Sequence, residues 1–220
     1  QDEARVMPPM IDGVGSTFWM VNQGKEFLSL DFRKPAGLEQ IRALAAEADI
    51  LIEGFRPGLM ERVGLGAEEL QKLNGRLIYA SLTGYPDQGM WKRKAGHDLN
   101  FLAVSGFLDA KADSFPTTQV ADLTGSLAMV SAILAALVER GVTGRGRRVS
   151  VSMVEAVHYL LPIPLGTARA EGKDPAGKLV FDIRQDEFRV FEDGREQKIT
   201  LFSVDPFPLS IVVLIDNALK

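Results

Sequence analysis

Two stretches of this sequence place acid/base side chains where they could do proton or nucleophile chemistry. In AGHDLN (Ala95–Asn100) an imidazole, His97, stands beside a carboxylate, Asp98, in a glycine-flanked turn after the basic run Lys92, Arg93 and Lys94. In ADLTGS, Asp122 opens a long apolar stretch. An imidazole titrates near neutrality and can take or give a proton. A carboxylate can do the same, or attack a carbonyl as a nucleophile. Each position also has a plainer explanation. An Asp at the start of a helix caps free N–H groups and is favoured there by the helix dipole, and a single His in a turn often serves only the local structure. His158, on an apolar helical stretch, reads as a packed or capped side chain.

Composition narrows what these residues could serve. With 220 residues, 46% hydrophobic and 25% charged, the chain has apolar material for one sizeable core or two small ones. A net charge of -4 and a pI near 5.3, with no block of Lys or Arg, give no field to hold a phosphate backbone, so a nucleic-acid partner is not expected. There is no cysteine, and His97 and His158 are the only histidines, so neither disulfides nor a metal site is expected. The longest apolar run, Leu127 to Val138 broken by Ser131, is shorter than the roughly 20 residues that cross a bilayer; it reads as a buried helix, with no membrane partner. The opening QDEARVMPPM lacks a signal-peptide pattern, which makes the cytoplasm the expected location, and a start on Gln rather than Met is expected of a fragment.

The elements that must hold these residues alternate. Phe27 to Asp31 (FLSLD) predicts a short strand, and apolar residues at Leu38, Ile41, Leu44, Ala45 and Ala48 predict a helix. Asp49 to Glu53 (DILIE) predicts a strand, GFRPG a turn, Leu59 to Leu73 a broken helical stretch, and Arg76 to Leu82 another strand. Strands alternating with helices predict an α/β, Rossmann-like parallel sheet with helices on its faces. No glycine fingerprint for a dinucleotide is present: GVG at Gly13 to Gly15 and GRGRR at Gly144 to Arg148 lack its spacing and read as turns. From Asp122 a helix is expected to about Arg140, stopped by GVTGRG, then a short strand at Val149 to Val151 and a helix from Val154 to Leu161. Beyond Lys173 the pattern changes to short strand-like runs at Lys178 to Ile183, Phe188 to Phe191, Ile199 to Ser203 and Leu209 to Asp216. A domain boundary is therefore placed in EGKDPAGK, giving modules 1–174 and 175–220.

Five motifs occur in one order: LSLDFRKPAGLEQIRALAAEADILIEGFRPGLMERVGLGAEEL, RLIYASLTGY, AGHDLNFLAVSGFL, ADLTGS and TGRGRRVSVSMVEAV. Together, over roughly Ser16 to Asp174, they resemble the class III CoA-transferases, and the GHD form is similar to the α-methylacyl-CoA racemase-like members. The resemblance implies an incomplete Rossmann-like large domain, an interlocked homodimer, and an acyl-CoA as substrate, with coenzyme A part of that substrate and no permanently bound cofactor. It implies that Asp122 is the catalytic aspartate, with His97 and Asp98 as the neighbouring acid/base segment. In racemase-like members the aspartate and histidine would work on opposite faces of C2 of a 2-methylacyl-CoA. In transferase members the aspartate would instead attack the thioester and carry CoA to a second acid. Phe55, Arg62, Lys94 and, more weakly matched, Arg56 fall where relatives line the CoA groove, an aromatic face meeting adenine and cations meeting phosphates.

The resemblance also implies missing parts: a first strand and helix, and the small domain that supplies a glutamate orienting the histidine. After residue 174, DEFRVFEDGREQKI followed by LSIVVLID resembles the start of bacterial von Willebrand factor A-related proteins, although Asp216, Asn217, Ala218, Leu219 and Lys220 replace both serines of their D-x-S-x-S metal motif. A racemase, a transferase, and an inactive fragment or interaction module are the three functions left open.

Overall fold

The structure is a computed structural model and describes residues 2–110, 116–171, 190–192 and 195–197. These residues fall into two compact units, one drawn from 2–81 and 132–150, the other from 82–131 and 151–197.

In the first unit a one-turn 3-10 helix, Glu3–Val6, precedes a two-residue hairpin of β1 (Met10–Ile11) and β2 (Val14–Gly15) and the short helix α1 (Ser16–Val21). Gly13 turns that hairpin at φ +78°, so the first glycine of GVG is in a turn as its sequence predicts, whereas Val14 and Gly15 form β2. The strand expected at Phe27–Asp31 does not form. Among the described residues no neighbouring strand offers it donors and acceptors, and the run is held by side chains instead: Phe27 tilts onto Phe18 at 5.4 Å, with the Arg5 guanidinium over both rings.

The helix expected from Leu38 onward is α2 (Pro35–Glu47), with Pro35 at a first position where its missing N–H costs nothing. Its periodic residues put Ile41 and Ala45 inward, and Gly37 has to be glycine because a Cβ there would lie 2.2 Å from the Asp31 carbonyl oxygen. The free carbonyls at its C-terminal end are taken up by Asn74, whose Nδ2 donates to Ala45 O and Ala48 O at 3.1 and 2.8 Å. Then follow β3 (Ile50–Glu53), α3 (Leu59–Arg62), α4 (Ala67–Leu73) and β4 (Ile78–Thr83), as the alternation predicts. β3 and β4 run parallel with Ile50 opposite Ile78 and Glu53 opposite Ser81, and β5 (Arg148–Ser152) completes a three-stranded sheet in the order β3-β4-β5. Leu51, Leu65, Leu70 and Leu77 are fully buried around Ile41 and Phe55, each contributing roughly 1.5–3 kcal/mol by leaving water. Arg140 clips the sheet edge: Nη1 donates to Asp49 O and Arg76 O at 3.2 and 3.0 Å, and Nη2 pairs with Asp49 Oδ1 at 2.9 Å.

The second unit is built on aromatic packing. Tyr85 stacks on Trp91 at 5.3 Å and meets Phe101 edge-on at 5.1 Å, and Leu102, Ala121, Val154, Val157 and Leu161 close the core around them. AGHDLN is not wholly a turn: Asp98 begins helix α5 (Asp98–Val104), followed by α6 (Phe107–Ala110). After the long α7 (Val120–Thr143) and β5 come α8 (Met153–Val157), a 3-10 turn at His158–Leu160 and α9 (Pro162–Ala170). His158, expected to be packed or capped, is exposed at the end of α8, where the chain tightens and turns its ring outward.

Residue 144 ends α7 as the glycine stop predicts, with Gly144 at φ +71° and its N–H on Arg140 O at 2.8 Å. The expectation that α7 is buried is corrected. At 24 residues it is long and apolar enough to cross a membrane, and only one face of it packs, through Ala121, Met129, Ile133, Ala136 and Arg140. Leu123, Leu127, Val130, Leu134, Val138 and Val142 form a second apolar stripe at helical spacing, with Leu127 71% and Val142 87% exposed. A count of apolar residues cannot tell one covered face from two.

Of the tail, a hairpin is described, β6 (Val190–Glu192) antiparallel to β7 (Arg195–Gln197), overlapping the strand predicted at Phe188 to Phe191. The runs at 178–183, 199–203 and 209–216 lie outside the described residues, as does the boundary at 171–178 apart from Glu171, and so does the segment at 216–220.

Candidate active site

Three of the predicted site residues come together in the second unit. His97 occupies the N-cap of α5 in extended backbone, its N–H donating to Asn100 Oδ1 at 2.9 Å. Asp98, the next residue, turns its carboxylate onto the start of α7: Oδ1 accepts the N–H groups of Ala121 and Asp122 at 2.7 and 3.0 Å. The residue expected to cap α7 was Asp122 itself. Asp98 caps it instead, because Asp122 stands inside the first turn, where its own backbone N–H needs an acceptor from elsewhere. The Asp122 side chain is thereby left for other work.

Asp122 is half-buried, and burial pushes its carboxyl above the usual aspartate value; the neighbouring Asp98 carboxylate pushes it further the same way, and the His97 imidazole pulls it back. These are the charges that act on it, so His97, Asp98 and Asp122 form one electrostatic cluster although the two segments are 24 residues apart. His97 is exposed and Asp98 half-buried, so the cluster opens to solvent on the His97 side.

The packing beneath the cluster explains GY and GHD. A Cβ on Gly96 would lie 2.7 Å from both the Phe101 ring and the Tyr85 hydroxyl, and one on Gly84 2.2 Å from the Phe101 ring. Only glycine lets the His97 segment close over these rings. Gly125, about one turn past Asp122, likewise has Met153 at 2.9 Å from where a Cβ would be.

Lys94 lies in the same unit, exposed, in a turn where its N–H meets Trp91 O at 2.9 Å. Phe55, Arg56 and Arg62 belong to the first unit. Arg56 and Arg62 are exposed, at the turn and short helix after β3. Phe55 is a core residue, 8% exposed, its ring edge-on to Phe32 at 5.7 Å. A hollow of about 290 Å³ lined by Arg42, Gly64, Glu69, Leu70, Lys72 and Leu73 includes none of the predicted site residues.

The sequence reading missed a buried polar group at the end of β3. Glu53 is 8% exposed, its Oε2 accepts the Phe55 N–H at 2.8 Å, and burial pushes its carboxyl up. Opposite it in register is Ser81, and Tyr79 lies two residues before; both hydroxyls are buried without a well-aligned hydrogen bond, and burial pushes Tyr79 up as well. A charged residue closing the otherwise apolar strand DILIE was the available signal.

Comparison with known proteins agrees with this architecture. Residues 1–198 match CoA-transferase family III, a match that runs past the boundary expected at 171–178. The chain is 40% identical over 158 residues to α-methylacyl-CoA racemase of Homo sapiens, covering 68% of this chain and 41% of that protein. It is 35% identical to acetyl-CoA:oxalate CoA-transferase of Acetobacter aceti, covering 80% and 46%. Among solved structures, a CaiB/BaiF family protein from Brucella suis superposes with a TM-score of 0.73 at 32% identity, covering 80% of this chain and 49% of that one. The chain belongs to CoA-transferase family III, and it spans about half the length of the relatives it matches.

Proposed function

We propose that this chain forms part of an enzyme that removes and returns the proton at C2 of a 2-methylacyl-CoA, in the manner of an α-methylacyl-CoA racemase. The observation that carries this is the Asp122 carboxyl, half-buried and pushed up in value, with His97 acting on it. A group that both gives and takes a proton works best when its titration lies near the working pH, and a raised carboxyl moves in that direction. Racemisation needs two such groups on opposite sides of one carbon. One takes the α-proton while the electron pair moves into the thioester as an enolate, and the other delivers a proton to the opposite face. The likeness to the human and mouse racemases supports this choice. Lys94, an exposed cation in the same unit as Asp122, is proposed to meet the CoA phosphates.

A CoA-transferase reaction is the second reading. Asp122 sits in the first turn of a 24-residue helix, where the dipole favours a charged carboxylate able to attack a thioester carbonyl. The likeness to acetyl-CoA:oxalate CoA-transferase supports it. Incubation with a 2-methylacyl-CoA in heavy water separates the two: deuterium at C2 without CoA transfer to an added acid supports the racemase. Transfer without C2 exchange selects the second reading. Neither reaction, with no CoA binding by calorimetry, leaves an interaction module.

We further propose that a second copy covers the outer stripe of α7 and makes a homodimer, because six apolar residues in line exceed what a solvated helix face carries. The charged Glu139 and Arg147, paired near the helix end, suit an aqueous interface better than lipid. Sedimentation should give a dimer without detergent, and Leu127→Glu with Leu134→Glu a monomer; a monomeric parent chain would count against it.

A further inference from the structure

Asp98 is the member of the cluster to which proton transfer gives no step, and its surroundings argue that it has a different one. Its Oδ1 is engaged by two N–H donors at 2.7 and 3.0 Å, so one of its two oxygens is committed to the start of α7 and the carboxylate is held in place by it. The donors are the backbone groups of Ala121 and Asp122, two of the four N–H groups that the first turn of α7 cannot satisfy within the helix. His97 is the residue before Asp98, and its own N–H is fixed by Asn100. One carboxylate therefore ties the backbone bearing the imidazole to the backbone bearing the Asp122 side chain.

We propose that Asp98 is a positioning residue rather than a proton carrier: clamped on the N–H groups of Ala121 and Asp122, it registers His97 against Asp122 and sets a second carboxylate beside the start of α7. This rests on the reading of Asp122 and His97 as the acid/base pair, and it divides Asp98 into two separable parts. The acceptor oxygen provides the clamp, and the charge raises the value at which the Asp122 carboxyl titrates.

Asp98→Asn retains an acceptor oxygen and removes the charge, whereas Asp98→Ala removes both. Asp122 can be followed directly by ¹³C NMR of carboxyl-labelled aspartate, its signal identified by its loss in Asp122→Asn. The charged groups acting on Asp122 are Asp98 and His97, and His97 is the same in all variants, so its opposing pull is common to them. For Asp98→Asn the expected result is unfolding close to the parent chain, an Asp122 midpoint moved to lower pH, and a basic limb of the C2-exchange profile moved the same way. Asp98→Ala should unfold about 2–8 °C lower, the loss of one cap in a chain of this size. An Asp122 midpoint unmoved in Asp98→Asn would overturn the proposal. So would an Asp98→Asn chain that shows the moved midpoint yet exchanges at no pH, since Asp98 would then be passing the proton itself. If the parent chain shows no C2 exchange, the proposed function fails while the NMR shift still decides the role of Asp98.

Discussion

Gly96→Ala adds a single methyl immediately before His97 and tests whether the aromatic platform sets the site. The new Cβ would stand 2.7 Å from a Phe101 ring carbon and from the Tyr85 hydroxyl, so each must retreat by about 0.7 Å to reach ordinary contact near 3.4 Å. Neither has free space to retreat into: Phe101 and Tyr85 are 6% and 5% exposed, they pack on each other at 5.1 Å, and Tyr85 is backed by Trp91 at 5.3 Å. The cost should be that of overpacking a core, about 1–3 kcal/mol, which equilibrium urea unfolding resolves easily. Gly84→Ala is the harder case, because its Cβ would meet the same ring at 2.2 Å and force a retreat of over 1 Å; it should cost more than Gly96→Ala. Phe101→Leu should then relieve Gly84→Ala, which meets that ring alone, and Gly96→Ala only in part because the Tyr85 hydroxyl remains, giving the larger favourable coupling with Gly84→Ala in a double-mutant cycle. The reasoning fails if Gly96→Ala unfolds within about 0.5 kcal/mol of the parent, or if the two alanines cost the same.

Three other outcomes follow from the geometry. Arg140→Met leaves the Arg76 carbonyl without a donor, the Asp49 carbonyl with the Ile78 N–H alone, and Asp49 without its ion pair; with the Asp49 side chain 40% exposed the pair itself counts for little, so about 1–3 kcal/mol is expected from the urea midpoint, and less than about 0.5 would contradict the clip. Glu53 is raised above the ordinary carboxyl value of 4.5, chiefly by burial and further by Glu61, against hydrogen bonding from Ser81 and Phe55 and the charge of Arg148. A raised carboxyl binds its proton more tightly folded than unfolded, so its contribution to stability is greatest below 4.5 and is lost as pH rises through the folded value. Glu53→Gln should therefore gain on the parent between pH 4 and 7 in thermal unfolding, and a constant difference across that window would refute the assignment. Lys94→Ala should weaken CoA binding by calorimetry about tenfold, the loss of one charge-assisted contact, and lose most of that difference in high salt.

What the sequence made legible was whatever repeats locally. α2, β3, α4, β4 and α7 announce themselves through the spacing of apolar residues such as Ile41, Ala45 and Leu51, and Gly144 through the helix end it permits. FLSLD alternates as a strand should, yet alternation supplies no partner, and Phe27 ended on Phe18. Phe55 follows a strand and was expected to face a nucleotide base, whereas its neighbours Phe32 and Leu51 draw it into the core. Asp98 and Asp122 were both picked out, but which of them caps α7 depends on a contact between residues far apart in the chain, and no local pattern encodes that. The outer stripe of α7 was visible as apolar residues and invisible as a face, since only the fold decides which stripe is covered.

The claim at the centre is that Asp122 and His97 exchange protons with one carbon of a thioester. Deuterium incorporation at C2 of a 2-methylacyl-CoA in heavy water, measured for the parent chain, Asp122→Asn and His97→Asn, addresses it directly. The account predicts exchange in the parent and a loss of about 10²-fold or more in each variant, with CoA binding retained. Equal exchange in the parent and in either variant would contradict it.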